Sequence, residues 1–176
     1  MPRIALLGTG LLGSGMVRHF LKGDTQVTVW NRTEAKAREL EAAGAQVATT
    51  PEAAVAGVDR VHIVLPDDAI VDGILDRIAP ALKKGAIVVD HSTTLPAGTT
   101  KRFERIRATG IRFLHAPVFM SPQMAAAERA VYRLRPEGGS GYRGRVAGQL
   151  TIRVSGCCPE DCTGMTARNR PSGARS

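Results

Sequence analysis

The chain has 176 residues, 43% of them hydrophobic, and a net charge of +8. That length buries one sizeable core with an appendage and falls short of two full domains. Residues 1–128 carry 15 Lys+Arg against 13 Asp+Glu, whereas residues 129–176 carry nine Arg, no Lys and three acids, so the basic excess marks a solvated tail and argues against a general nucleic-acid-binding surface.

From Arg3 to about Leu114, apolar runs alternate with helical patterns, the signature of βαβ units. RIALLG reads as a buried strand, LLGSGMVRHFLKG as a helix closing on glycine, and QVTVWN as a β-branched and aromatic strand. TEAKARELEAAG reads as one helix with Thr33 as N-cap and Gly44 as its stop. AQVA is a short strand, and TPEAAVAG a short helix with Thr50 before Pro51. DRVHIVLP is a strand, DDAIVDGILDRIAPAL a helix, AIVVDHS a strand, LPAGTTKRFERIRATG a helix and IRFLHAP the sixth strand. The fold class expected is α/β, a doubly wound parallel sheet of the Rossmann type. After Ala116-Pro117 the rhythm fails. The next stretch reads as one short helix and a glycine-arginine loop, GQLTIRVSG as one more strand, and residues 157–176 as a disordered tail. The expected division is therefore 1–128, 129–156 and 157–176.

Gly8, Gly10 and Gly13 spell G-x-G-x-x-G, as GTGLLG with Thr9, Leu11 and Leu12, between the first strand and the first helix. In that context the glycines allow a tight turn, close approach of backbone to a pyrophosphate, and close helix–strand packing. The helix amides then face the phosphates. Asn31 lies 18 positions after Gly13, at the end of the second strand, where an adenosine ribose would sit. An acidic residue there would favour NAD and repel a 2′-phosphate. Asn31 removes that repulsion, Arg32 offers a planar guanidinium, and Thr33 a hydroxyl and a helix-start amide, so the reading is NADP.

Two more loops fall at carboxyl ends of strands, LPDD at 65–68 and DHSTTLP at 90–96. Leu65 and Pro66 can wall the nicotinamide. The hydroxyls of Ser92 and Thr93 are balanced between ligand contact and helix capping, and Thr94 reads as a cap. All three cysteines lie in the tail and the four histidines lie far upstream, so neither a disulfide framework nor a metal site is expected. The opening MPRIALLGTG fits neither a signal peptide nor a membrane span, and a cytoplasmic location is expected.

The series GTGLLGSGM, VTVWNRT, VHIVLPDDAIV, VVDHSTTLP and FLHAPV resembles the β-hydroxyacid dehydrogenases, which include 3-hydroxyisobutyrate dehydrogenase, glyoxylate and succinic semialdehyde reductases, and 6-phosphogluconate dehydrogenase. The match covers residues 3 to about 118; its most distinctive element is D-x-S-T-x-x-P at Asp90, Ser92, Thr93 and Pro96. The resemblance implies that Gly8 to Gly13 and Asn31 to Thr33 hold NADP, that Leu65, Pro66 and Thr93 contact it, and that Ser92 binds a substrate carboxylate. It further implies hydride transfer between NADP(H) and a small hydroxy acid or aldehyde.

Members of that family add a helical domain bearing a catalytic lysine in G-x-x-x-K-x-x-x-N. That motif is absent here, and the usual D-A-P-V-S-G-G becomes His115-Ala116-Pro117-Val118-Phe119-Met120-Ser121. One expectation is a truncated or frame-disrupted product, favoured by the abrupt change of composition near residue 129. The alternatives are a non-catalytic NADP-binding module whose tail docks on a partner, and an imine-reductase-like protein, since those enzymes share the nucleotide domain and a similar Asn-Arg-Thr but do not use the lysine. His115 is the one nearby proton-donor candidate. Expected partners are a small-molecule substrate if the chain is active, and neither nucleic acid nor membrane. A homodimer would require the helical domain.

Overall fold

A computed structural model describes residues 1–118, together with the backbone of 131–134 and 142–145. Six parallel strands form the sheet: β1 (Arg3–Leu7), β2 (Gln26–Trp30), β3 (Gln46–Val47), β4 (Arg60–Ile63), β5 (Ile87–Asp90) and β6 (Arg112–His115), in the order β3-β2-β1-β4-β5-β6. The order reverses between β1 and β4, the switch point at which open sheets of this kind leave a crevice above the strand ends. Helices α1 (Leu11–Leu21), α2 (Glu34–Arg38), α3 (Pro51–Val55), α4 (Asp68–Ile78) and α5 (Pro96–Ala108) supply the crossovers.

Strand alternation sorts the core into two halves. In β1, Ile4 and Leu6 join Val27, Val29, Met16, Val17, Ala37 and Leu40 on the α1/α2 face. Ala5 and Leu7 join Val61, Ile63, Val88, Val71, Leu75 and Ile106 on the face covered by α3, α4 and α5. After the exposed Arg3, both faces of β1 are closed to solvent, which explains the uninterrupted apolar run Ile4–Leu7. Each fully buried Leu or Ile contributes about 1.5–3 kcal/mol relative to exposure.

Two helices are shorter than the sequence pattern suggests. The expected helix over TEAKARELEAAG stops at Arg38 and continues as a 3₁₀ turn, Glu41–Ala43. Buried Ala37 and Leu40 pin it to the core, and the Leu40 carbonyl accepts from both Ala43 N and Ala45 N as the chain turns toward β3. α4 likewise tightens into a 3₁₀ turn at Ala79–Ala81, where Pro80 has no amide to continue the α ladder. Thr50 does cap α3, accepting from Ala53 N at 3.1 Å with Pro51 in the first turn. Thr33 occupies the N-cap position of α2 but makes no side-chain cap bond.

In the 129–156 segment, where a glycine-arginine loop was expected, β7 (Val131–Leu134) pairs antiparallel with β8 (Tyr142–Arg145). Their sequences, VYRL and YRGR, flank a Pro- and Gly-rich stretch, PEGGSG, which is hairpin chemistry. The short helix expected after Pro117, the strand expected at GQLTIRVSG and the tail at 157–176 lie outside the described residues. Among the described residues no helix is long and apolar enough to cross a membrane.

Candidate functional site

The crevice begins at the turn from β1 into α1. Gly8 has φ of +102°, and a Cβ there would stand 2.1 Å from the Val64 carbonyl oxygen. A Cβ on Gly13 would stand 1.9 Å from the Gly8 carbonyl oxygen. Both glycines are therefore required by the fold. Gly10 differs: a Cβ there would meet nothing within 4 Å, so the protein itself does not demand glycine. Gly10 is the N-cap of α1 with no side-chain cap bond, and no acidic residue sits in the first turn, which leaves first-turn amides for a ligand. Leu11 is 80% exposed beside it, Leu12 is half-buried, and the buried Thr9 hydroxyl has no hydrogen-bond partner among the described residues. An open cradle, unpaired amides and an unpaired buried hydroxyl fit the pyrophosphate of a dinucleotide.

Asn31 joins this turn to the loop after β2. Its Oδ1 accepts from Thr9 N at 3.1 Å, and its Nδ2 donates to the Thr33 carbonyl at 2.9 Å. A carboxylate could accept the first bond but could not donate the second, which gives Asn a local reason to stand here. Arg32 is exposed and makes no hydrogen bond or ion pair with the described residues; Thr33 is also exposed. Both remain available to a ligand.

The second half of the crevice lies over β4, β5 and β6. Leu65 is half-buried and Pro66 exposed. The Leu65 amide donates to Ser92 Oγ at 3.0 Å, bringing together two loops that the sequence separates by 27 residues. Ser92 is itself buried, and its amide donates to Asp90 Oδ1 at 2.9 Å. The Ser92 hydroxyl also hydrogen-bonds to the Asp90 carboxyl, so both the hydroxyl and the amide of Ser92 hold it to Asp90. Thr93 is exposed. Thr94 is not the cap of α5: Leu95 holds that position, and Thr94 Oγ1 instead meets Thr99 Oγ1 at 2.8 Å. His115 Nε2 lies 3.1 Å from the Ser92 carbonyl oxygen and 3.4 Å from Thr94 Oγ1. That nitrogen donates to a backbone carbonyl, so the arrangement makes His115 a brace for the loop.

Sequence reasoning missed what lies beneath these loops. His62 and His91 are fully buried with stacked rings, His62 Nδ1 2.8 Å from His91 Nε2 and His91 Nδ1 2.9 Å from the Ala116 carbonyl. The carbonyl can only accept, so His91 donates from Nδ1 and accepts at Nε2 from His62. Burial pushes both imidazoles down, His91 to about 4. Arg102 is buried among Asp68, Asp72 and Asp90. Burial pushes the Asp90 carboxyl up, while a hydrogen bond from the Leu95 amide, with Arg102 beside it, draws Asp68 down. Among the described residues no group of three or more His, Cys, Asp or Glu is arranged to hold a metal ion.

With this geometry in hand, the comparisons are specific. The sequence matches the family model of the NAD binding domain of 6-phosphogluconate dehydrogenase over residues 3–131. Among curated proteins it is 36% identical over 146 residues to the cytokine-like nuclear factor N-PAC of Danio rerio, covering 74% of this chain and 31% of the relative. It is 32% identical over 132 residues to the chloroplastic glyoxylate/succinic semialdehyde reductase 2 of Arabidopsis thaliana, covering 73% and 37%. Among solved structures, Mycobacterium tuberculosis 3-hydroxyisobutyrate dehydrogenase with L-serine superposes with a TM-score of 0.75 at 24% identity, covering 78% of this chain and 47% of that one. The imine reductase of Myxococcus stipitatus in complex with NADP+ gives 0.66 at 30% identity, covering 70% and 43%. The chain thus spans about a third of the length of those curated relatives. It belongs to the family of 6-phosphogluconate dehydrogenase NAD-binding domains, a group whose members bind a nicotinamide dinucleotide.

Proposed function

We propose that this chain is the NADP-binding part of an oxidoreductase that transfers hydride between NADP(H) and a small hydroxy acid or aldehyde. The observation that carries the choice of NADP is the Asn31-Arg32-Thr33 corner: a neutral amide tied to backbone on both ends, followed by an exposed cation with no ion-pair partner among the described residues. A 2′-phosphate there meets no carboxylate and gains a charge-assisted pair.

When bound, the nicotinamide supplies a hydride to a carbonyl carbon. The residues of this chain have the simpler tasks of binding and orienting. First-turn amides at Gly10 to Gly13 would hold the pyrophosphate, Leu65 and Pro66 would wall the nicotinamide, Thr93 would contact it, and Ser92 would bind a substrate carboxylate. The proton that completes an alcohol is assigned to no described residue.

A second reading, reduction of an imine, is supported by the 30% identity to the Myxococcus stipitatus imine reductase. Our reading keeps a cytoplasmic site of action and a small-molecule substrate. The test is a fluorescence titration of the purified chain with NADPH and NADH in parallel. Tighter binding of NADPH is expected; equal binding, or tighter NADH, contradicts the NADP assignment. A subsequent screen of keto acids, aldehydes and cyclic imines separates the two oxidoreductase readings, and saturable binding without any turnover would favour a non-catalytic module.

A further inference from the structure

The two loops that border the proposed nicotinamide position are held from below by one side chain. Arg102, on α5, has a fully buried side chain. Its Nε donates to Asp72 Oδ1 at 2.9 Å, and its Nη2 to Asp72 Oδ2 at 3.1 Å, to Asp68 Oδ1 at 2.8 Å and to the Asp68 carbonyl at 3.3 Å. Its Nη1 faces Asp90 Oδ2 at 3.8 Å. Asp68 ends the LPDD loop, and Asp90 opens the loop that runs through Ser92 and Thr93.

Both carboxylates pass the restraint upward. Asp68 Oδ2 accepts from the Leu95 amide at 3.0 Å, and Asp90 Oδ1 accepts from the Ser92 amide at 2.9 Å. Ser92 Oγ in turn accepts from the Leu65 amide at 3.0 Å, so Arg102 reaches the first loop by hydrogen bonds to Asp68 and the second by its ion pair with Asp90, in which Nη1 and Oδ2 make no hydrogen bond among the described residues. The first turn of α5 is pressed against the same point: a Cβ on Gly98 would stand 2.6 Å from Asp68 Oδ1. A guanidinium taken wholly out of water carries a desolvation penalty that a packed apolar side chain would avoid, so its presence is better explained by the geometry it fixes than by stability.

We infer that Arg102 is a positioning residue that locks loops 65–68 and 90–95 into one rigid wall of the nicotinamide half of the site. This rests on the dinucleotide reading above. None of these polar groups hydrogen-bonds to Gly8–Gly13 or Asn31–Thr33 among the described residues, and Leu65 meets the glycine turn only by its side chain beside Gly8, so loss of the lock should fall mainly on the nicotinamide half. Lysine keeps the charge but lacks the planar fork that spans Asp68 and Asp72 while facing Asp90.

The experiment compares wild type, Arg102→Lys and Asp68→Asn. Asn at 68 serves where the lysine variant does not fold, because one amide oxygen cannot satisfy both Arg102 and the Leu95 amide in the present geometry. Three quantities are measured: affinity for NADPH, affinity for adenosine 2′,5′-bisphosphate, and amide hydrogen exchange at Leu65, Ser92 and Leu95. In a variant, NADPH affinity falls about tenfold, bisphosphate affinity stays within twofold, and the three amides exchange faster while Gly8 N does not. Parallel loss of both affinities, or no change in either, overturns the inference while the NADP reading stands. Wild type that binds neither compound overturns the NADP reading; the exchange data then decide whether Arg102 locks the loops at all, unchanged rates refuting it.

Discussion

The amide of Thr9 donates to Oδ1 of Asn31 at 3.1 Å, so the glycine-rich turn and the loop after β2 are fastened to each other before any ligand arrives. Nδ2 of Asn31 completes the fastening at the Thr33 carbonyl. Asn31→Asp would keep the first bond and lose the second. The Thr33 end is exposed, so the stability cost is expected to be at most about 1 kcal/mol. NADPH affinity should fall at least about tenfold through carboxylate–phosphate repulsion, and NADH affinity should hold or rise because Asp can accept from both ribose hydroxyls. Paired titrations of the variant check this, and an unchanged NADPH affinity would contradict it.

The three fingerprint glycines should separate cleanly under substitution by alanine. At Gly8 the positive φ and the Val64 carbonyl, and at Gly13 the Gly8 carbonyl, leave no room for a methyl. Each variant should lose about 2–4 kcal/mol or fail to fold. Gly10→Ala has open space around it and should melt within a few degrees of wild type, yet bind NADPH markedly more weakly. Thermal melts with cofactor titration distinguish these outcomes, and a Gly10→Ala variant with full affinity would remove Gly10 from the site.

Two threonines that look alike in sequence should differ in stability measurements. Thr50→Ala removes a cap bond to Ala53 N and should cost about 1 kcal/mol, with Thr50→Ser restoring most of it. Thr33→Ala removes no cap bond and should change stability by only a few tenths of a kcal/mol. Urea midpoints of the three variants test the contrast.

Acid should weaken the fold through the histidine pair. His62 and His91 are held neutral by burial, with folded values below the ordinary 6.5 and His91 at about 4. The unfolded chain therefore binds more protons as pH falls below about 6.5, and stability declines from there toward about 4. His91 alone supplies at most about 3 kcal/mol over that window. Protonation would also set two N–H groups face to face across the 2.8 Å contact. The paired carboxylates Asp68 and Asp72 are drawn below 3.8 and lose their contribution only at lower pH. Denaturation midpoints of wild type and His91→Gln from pH 4.5 to 7 should show the slope shrinking in the variant; a flat wild-type profile would contradict the account.

Periodicity and punctuation carried most of the fold: strand alternation in RIALL, the glycine at 8 and the Thr50-Pro51 start each act locally, within a few residues. The sites that escaped are those set by partners far apart in sequence. His62 sits in an ordinary strand pattern, and its partner is 29 positions away. Arg102 is one of several basic residues in PAGTTKRFERIRA, and only the approach of α4 and β5 distinguishes it from its solvated neighbours. The early end of α2 likewise depends on where buried Leu40 must pack. Around the site, the Thr9–Asn31 and Leu65–Ser92 contacts explain why residues picked out singly in the sequence fall beside one another.

The most direct test of the central claim is a thermodynamic cycle between Arg32 and the 2′-phosphate. Affinities of wild type and Arg32→Ala are measured for NADPH and for NADH under one salt concentration. A charge-assisted contact contributes about 1.5–3 kcal/mol, so NADPH affinity should fall roughly 10- to 150-fold while NADH affinity stays the same. Equal losses for both cofactors, or none for either, would mean that Arg32 does not read the 2′-phosphate and that the NADP assignment is wrong.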